Sequence, residues 1–437
     1  MRVDLDLLHA LRSYAHVRSF QHRHRSRRSV EDWQNRCLAR WIERHVGEVP
    51  AFSDRASRGA RLADFPVMTK SDLMADFAAY NRVGLDAEGG WRAFEGSRTF
   101  GNHVVGASTG TSGNRGLFVV SRAERFRWLG AILAKGLPDF WRRRDRIAVL
   151  LPLDTPLYDT ANKAGRMKLR FFDTSLPLEG IVDELVSFQP TVMIAPPRIL
   201  RRLASADLAL APRALFSAAE KLEAFDRRIV EAAFKVRLRE IYMATEGLLA
   251  VTCGQGRLHL SEDCMHFELE EADGELVSPI ISDFSRTTQI MLRYRMNDLL
   301  RIDTRPCSCG SPLRVVSEVI GRMDDVFRLR TPGGRSIELT PDIIRNAVVD
   351  GHRSIDDFRV VQTGHESVEL HLPASSSTVV RQAAVARLAP LFEQHGCTPH
   401  ITLVTLEAKA DPRHKLRRVE NRTDPTRGRS TPRGSPL

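Results

Sequence analysis

Cysteine is scarce in this chain, six in 437 residues, so a disulfide framework of the kind that staples small secreted domains is excluded. Cys307-Ser308-Cys309 is also too tightly spaced to bridge within itself, which leaves metal binding or plain burial for these thiols. No apolar run approaches the roughly 18 residues that span a bilayer. The stretch MRVDLDLLHALRSYAHVRSF has neither the apolar core nor the cleavage site of a secretory signal, and a cytoplasmic address is expected. Acidic residues are outnumbered, 54 against 65 basic ones, for a formal charge of +11. Much of that excess sits in residues 18–28, RSFQHRHRSRR, and in the segment NRTDPTRGRSTPRGSPL. Neither interleaves aromatics or glycines as an RNA-binding module does, so both read as solvated surface, with no nucleic-acid or membrane partner expected.

What is present is an ordinary globular composition, 42% hydrophobic and 27% charged, in a chain long enough for one large domain and a smaller one. Residues 1–90 read mainly as helix: Trp33, Cys37, Leu38, Trp41 and Ile42 recur at spacings of three and four, and Ser71 before DLMADF gives a helix start. From about 100 to 320, RIAVLLPL, VDELVSF, TVMIAPP, KLEAFDRRIVEAAF and REIYMAT alternate strand and helix patterns, the signature of an α/β sheet. TQIMLRYRMNDLLRID suggests two strands around a turn, and GRMDDVFRLRTPGGRSIEL a hinge followed by a hairpin. Beyond it, FRVVQTGHESVELHL, a helix near 379–394 and HITLVTLEA suggest a small α+β unit. The expected architecture is a helical preface (1–90), an α/β core (91–322), a small, mobile C-terminal α+β domain (323–420) and a basic, disordered tail (421–437). Self-association into a homodimer is left open.

Four segments carry a chemical signal. Ser108-Thr109-Gly110-Thr111-Ser112-Gly113-Asn114-Arg115-Gly116 follows the strand pattern HVVGA; its glycines let backbone N–H groups converge on phosphate, and its hydroxyls add donors. It lacks the GxxxxGK[ST] spacing and lysine of a Walker loop, and such a turn alone is often just a loop. Tyr242-Met243-Ala244-Thr245-Glu246-Gly247 ends an apolar strand, where a carboxylate can hold Mg²⁺ against phosphates and a ring can stack on adenine. In Tyr294-Arg295-Met296-Asn297-Asp298, Asp298 can accept both ribose hydroxyls; Gly321-Arg322-Met323-Asp324-Asp325 is the fourth.

In that order and spacing, the four segments resemble the acyl-adenylate-forming superfamily, in its phenylacetate–CoA ligase-like branch. The resemblance extends from Phe65-Pro66-Val67-Met68-Thr69-Lys70 to Lys415-Leu416-Arg417-Arg418-Val419. It implies ATP and Mg²⁺ as cofactors, coenzyme A as co-substrate and a small aryl or arylacetic acid as substrate. Position by position, it implies that residues 108–116 bind phosphate, that Ala218, Ala219 and Glu220 form the adenine-side strand end, and that Thr245 and Glu246 face phosphate and Mg²⁺. It further implies that Asp298 binds ribose, that Arg322 stands beside the nucleotide, that Asp324 is the hinge of a rotating C-terminal domain, and that Lys415 catalyses adenylation. Lys415 has its own physical case, since attack of a carboxylate on phosphorus brings two anions together and needs a mobile cation. Asn114-Arg115 stands where relatives often carry Gly-Lys, and Met243 and Met296-Asn297 depart from the branch's usual residues, which suggests a divergent subgroup akin to the relatives of deazaflavin-adenylylating enzymes.

Cys253, His259, Cys307 and Cys309 form a separate constellation, with the thiolate and imidazole ligands that tetrahedral Zn²⁺ prefers. A closed four-ligand site is structural; Cys264 and His266 are rival ligands. Three other functions stay open: transfer of the acyl group to an amine or hydroxyl, transfer of AMP itself, and an ATP-binding pseudo-enzyme.

Overall fold

The computed structural model describes residues 5–108, 115–151, 167–175, 178–352, 354–355, 357–406 and 417–423. They group into two compact units. The first comprises Met1–Ser108, Gly116–Met296 and Arg301–Glu318; the second comprises Thr109–Arg115, Asn297–Leu300 and Val319 onward, as far as each is described.

The first unit opens with helices. In Arg27–Arg44 the residues Val30, Gln34, Leu38, Trp41 and Ile42 form the buried stripe, and the Ser26 hydroxyl accepts from the Ser29 amide to cap the start. The helix signal at Ser71 proves to be a capping box two residues earlier: the Thr69 hydroxyl accepts from the Asp72 amide, the Asp72 carboxylate accepts from the Thr69 amide, and the helix is Lys70–Ala75. A three-stranded sheet of Thr99–Phe100, His103–Ala107 and Leu117–Ser121 follows, then the helix Arg122–Gly136, which starts on a Ser121/Glu124 capping box.

The main sheet of this unit has a parallel half, in spatial order Met167–Asp173, Asp145–Leu151, Val192–Ala195, Ala214–Ala218 and Leu238–Ala244. Strands covered on both faces read as continuous apolar runs, as the central ones Asp145–Leu151, Val192–Ala195 and Ala214–Ala218 do in large part. Ile147 and Val149 belong to one core cluster, Ala148 and Leu150 to another, and all of Ala214–Ala218 is buried. The helices Glu179–Phe188, Pro197–Ser205 and Ala224–Phe234 connect these strands. The chain then reverses, so that Gly247–Thr252 pairs antiparallel with Leu238–Ala244, Ala244 opposite Gly247. Leu258–Leu260 extends the sheet, paired antiparallel with Gly247–Thr252 and with the Val315 end of the strand Val315–Arg322, and His266–Asp273 pairs antiparallel with Leu276–Ser282. Of the two strands expected in 288–303, the second is Asp298–Asp303 and the first is only the two residues Tyr294–Arg295.

In the second unit Phe327–Arg330 and Ser336–Leu339 form the expected hairpin, followed by a helix, Pro341–Val349, that the sequence reading left unassigned. Arg359–Gly364 and Ser367–Pro373 pair antiparallel; after the helix Thr378–Gln394, His400–Leu406 joins one edge and Val419–Asn421 the other, both parallel to their neighbours. Alternate residues of Ser367–Pro373 are buried, as one covered face requires, against a core that includes Phe327, Phe358, Leu388 and Phe392. Among the described residues no helix is long and apolar enough to cross a membrane.

Candidate active site and metal centre

Thr109, Gly110, Thr111, Ser112 and Gly113 lie outside the described residues, but the ends of their segment do not. The Ser108 amide donates to the Gly116 carbonyl at 2.7 Å and the Ser108 hydroxyl accepts from the Gly116 amide at 2.8 Å, a clasp that brings the chain back to where it left. Lys70 lies against this clasp: a Cβ on Gly116 would come 3.0 Å from Lys70 Cε and 3.7 Å from its Nζ. The segment has no lysine of its own, and Lys70, the last residue of the PVMTK motif, brings an ammonium to its base. The sequence offered that signal only as part of a resemblance.

Ala218, Ala219 and Glu220 stand at the carboxyl end of one parallel strand, and Thr245 and Glu246 at the end of its neighbour, with Ala218 opposite Ile241. Carboxyl ends of adjacent parallel strands are where open α/β sheets bind ligands. Ala219 is in left-handed backbone, φ 69°, which lets the Glu220 amide donate back to the Ala218 carbonyl at 2.9 Å. The Glu220 carboxylate is held 3.1 Å from Arg198 on the helix Pro197–Ser205. Tyr242 is half-buried on the strand leading to the turn. Within the turn, the Thr245 hydroxyl donates to Glu246 Oε2 at 2.8 Å, and the Glu246 side chain is buried.

Asp298, Arg322 and Asp324 are described within the second unit. There the Met323 amide donates to the Asn297 carbonyl at 2.9 Å, joining the Asn297-Asp298 segment to the turn Met323–Asp325. Asp298 and Arg322 are half-buried and Asp324 is exposed. Lys415 lies outside the described residues, whereas Arg417, two positions on, is bound to Asp325 through Nε, at 3.2 Å, and Nη2. Burial pushes the Asp325 carboxyl up, and Arg417 offsets only part of that. The sequence reading passed over this pair, because nothing in the chain connects two residues 92 positions apart.

Cys253, His259, Cys307 and Cys309 do converge, all four ligating atoms lying within 4.8 Å of one another. Cys253 follows the strand Gly247–Thr252, His259 lies within Leu258–Leu260, and the two other thiols come from the turn before Val315. Tetrahedral Zn²⁺, with Zn–S about 2.3 Å and Zn–N about 2.0 Å, requires S···S separations of about 3.8 Å and S···N of about 3.5 Å. The Cys253 and Cys307 sulfurs are 3.8 Å apart and Cys309 Sγ is 3.5 Å from His259 Nε2, so the donor set fits the ion. His259 Nδ1 donates to the Leu313 carbonyl at 3.1 Å, the tautomer that turns the Nε2 lone pair toward the sulfurs. Burial pushes the Cys253 thiol up, but hydrogen bonds from His259 and from the Arg257 and Gln255 backbone outweigh it and bring the thiol down to about 6. Burial and the neighbouring Cys307 push Cys309 up to about 12. The rivals Cys264 and His266 are not part of that group: burial holds the Cys264 thiol well up, and the His266 ring bonds Gln34 Oε1.

No family model matches the sequence. A curated relative, Protein CapK of Staphylococcus aureus, is 26% identical over 164 residues, so the alignment spans 36% of this chain and 36% of that protein. Among solved structures, 2-hydroxyisobutyryl-CoA ligase in its postadenylation state with R3-HIB-AMP superposes with a TM-score of 0.65 at 17% identity, covering 90% of this chain and 89% of that one. The fold is that of the adenylate-forming ligases. A structure from the fatty acyl-adenylate ligases of E. coli and L. pneumophila gives 0.50 at 16% identity, over 70% of this chain and 67% of the other.

Proposed function

We propose that the protein activates a small carboxylic acid with ATP, forming an acyl-AMP and pyrophosphate, and then passes the acyl group to coenzyme A. The observation that carries this reading is the shared fold over 90% of the chain with a ligase in its postadenylation state with R3-HIB-AMP, in a sequence whose four motifs fall in the order of the superfamily it resembles. A carboxylate oxygen attacks the α-phosphorus, the bond to the β-phosphate oxygen breaks, and pyrophosphate leaves. A coenzyme A sulfur, giving up its proton, then attacks the acyl carbon, and AMP leaves. Such transfer depends on positioning and charge neutralisation, so no covalent enzyme nucleophile is required.

In this reading residues 108–116, with Lys70 at their base, hold phosphate oxygens; Ala218, Ala219, Glu220 and Tyr242 flank the base; Asp298 holds the ribose; Arg322 meets the nucleotide. Glu246 and Thr245 fit a divalent cation bound to ATP, since the buried carboxylate sits at a strand end with a hydroxyl beside it. Mg²⁺ there would neutralise phosphate charge. Asp324 serves as the hinge and Lys415 as the cation that carries the carboxylate onto phosphorus. The motif spellings favour the phenylacetate–CoA ligase-like branch and an aryl or arylacetic acid, and the use of ATP and coenzyme A favours the cytoplasm. The cysteine–histidine quartet holds a structural Zn²⁺ with no open position.

Lys415→Ala is expected to lower acid-dependent ATP–pyrophosphate exchange by at least about a hundredfold while ATP binding stays within about twofold, the pattern of a group acting in the transition state. Run over an acid panel with and without coenzyme A, the same assay identifies substrate and acceptor. Exchange unchanged in the variant removes Lys415 from the mechanism.

A further inference from the structure

Behind the Thr245-Glu246 turn lies a buried charge cluster that the motif series does not touch. Arg286 is only 1% exposed, and its Nη2 donates to the Thr245 carbonyl at 2.8 Å. Among the described residues, Nε and Nη1 find no hydrogen-bond acceptor; Nε stands 3.4 Å from Asp283 Oδ2, and the guanidinium lies 4.7 Å over the Trp128 ring. Asp283 is itself fully buried and accepts from the Ser285 amide and hydroxyl. Glu124 grips the same loop, accepting from the amides of Thr287 at 2.6 Å and Thr288 at 2.9 Å.

Removing a guanidinium from water costs several kcal/mol, which the buried Asp283 carboxylate and the Trp128 face offset in part. The arginine's directed hydrogen bond goes to the carbonyl of the peptide that joins Thr245 to Glu246. Gly247, next in the chain, has φ 149°, and a Cβ on it would come 3.0 Å from Met265 Cε and 3.5 Å from Asp283 Oδ2. The turn is therefore tied at the Thr245 carbonyl by Arg286, and Gly247, in backbone that side chains rarely adopt, lies within ordinary contact distance of Asp283.

We propose that Arg286 is a positioning residue that sets the Thr245-Glu246 peptide so that the Glu246 carboxylate is presented to the divalent cation accompanying ATP. This rests on the assignment of Glu246 as a Mg²⁺ ligand. Arg286 touches neither ATP nor the acid; it acts through the turn.

The test measures binding of ATP to the full chain with and without Mg²⁺, by displacement of a fluorescent ATP analogue, and so needs no knowledge of the acid. Outer-shell partners of metal ligands typically contribute 10–100-fold, so Arg286→Met is expected to weaken Mg²⁺-ATP binding by about tenfold or more and leave Mg²⁺-free ATP binding within about twofold. Glu246→Gln should act alike, and the double variant should be no worse than Glu246→Gln alone, because both remove one coupled function. Arg286→Lys should recover part of the Mg²⁺ effect, and Asp283→Asn, which spares the Thr245 contact, should keep it. If Arg286→Met folds poorly, Arg286→Met with Asp283→Asn removes the orphaned carboxylate and the same readouts apply. Weakening that is equal with and without Mg²⁺, or that adds to Glu246→Gln, makes Arg286 merely structural and overturns the proposal. A Mg²⁺ effect that depends on Glu246 but not on Arg286 overturns the proposal alone, whereas one independent of Glu246 overturns the ligand assignment and the proposal with it.

Discussion

The Glu124 carboxylate is shaped by two opposed influences. Burial pushes its carboxyl up, but hydrogen bonds from Thr287, Ser121 and Thr288 outweigh that and leave it below the ordinary glutamate value. A carboxylate depressed in the folded state stabilises the fold above its unfolded pKa and loses that contribution as pH falls through the folded value. Glu124→Gln should therefore be less stable than the parent at pH 7, with the gap closing as pH drops below the ordinary glutamate pKa of about 4.3. Urea unfolding at a series of pH values reads this out, and a gap constant with pH contradicts it. Residues differ sharply in how well the sequence announces them. Glu246 and Asp298 stand in short motifs with their neighbours; Arg286 and Asp325 acquire their roles from Thr245 and Arg417, distant in sequence, and no local pattern marks such pairs.

Elements were legible where one local rule decided them. Apolar runs announced the strands Asp145–Leu151, Val192–Ala195 and Leu238–Ala244 but not Met167–Asp173 or Ala214–Ala218, and helical spacing announced Arg27–Arg44 and Ala224–Phe234. The far half of the sheet was harder, because the pairing of Leu258–Leu260 with Val315–Arg322 joins strands separated by more than fifty residues, a choice made by tertiary packing. The cysteine–histidine quartet bridges such separated pieces, linking the Gly247–Leu260 hairpin to the 306–310 turn. Purified protein is therefore expected to hold about one equivalent of zinc after exhaustive dialysis, and Cys307→Ser to lose it and melt several degrees lower. Less than about a tenth of an equivalent in well-folded protein removes the zinc assignment.

At the scale of the molecule, a segmentation along the chain cannot express that Asn297–Leu300 groups with residues beyond Val319. The C-terminal boundary also has a structural landmark: Val419–Asn421 is a strand, Asn421 Nδ2 donates to the buried Val326 carbonyl at 2.7 Å, and the Thr423 hydroxyl donates to Asn421. Removing residues 424–437 should leave acyl-AMP formation within about twofold, while a cut before Asn421 should lower the melting temperature by several degrees, as loss of a buried hydrogen bond and a strand end implies. Calorimetry and pyrophosphate exchange on both truncations decide this.

That terminal strand also bears on how the chain reaches its fold. The hairpins 327–339 and 359–373 join neighbours in sequence and can close early, since short loops lose little entropy. The pairing of Val360 with Val419 closes a loop of nearly sixty residues and must wait until residue 421 has left the ribosome. During synthesis, one edge of Arg359–Gly364 is thus unpaired until residue 421 emerges, a strand edge open to pairing with other chains.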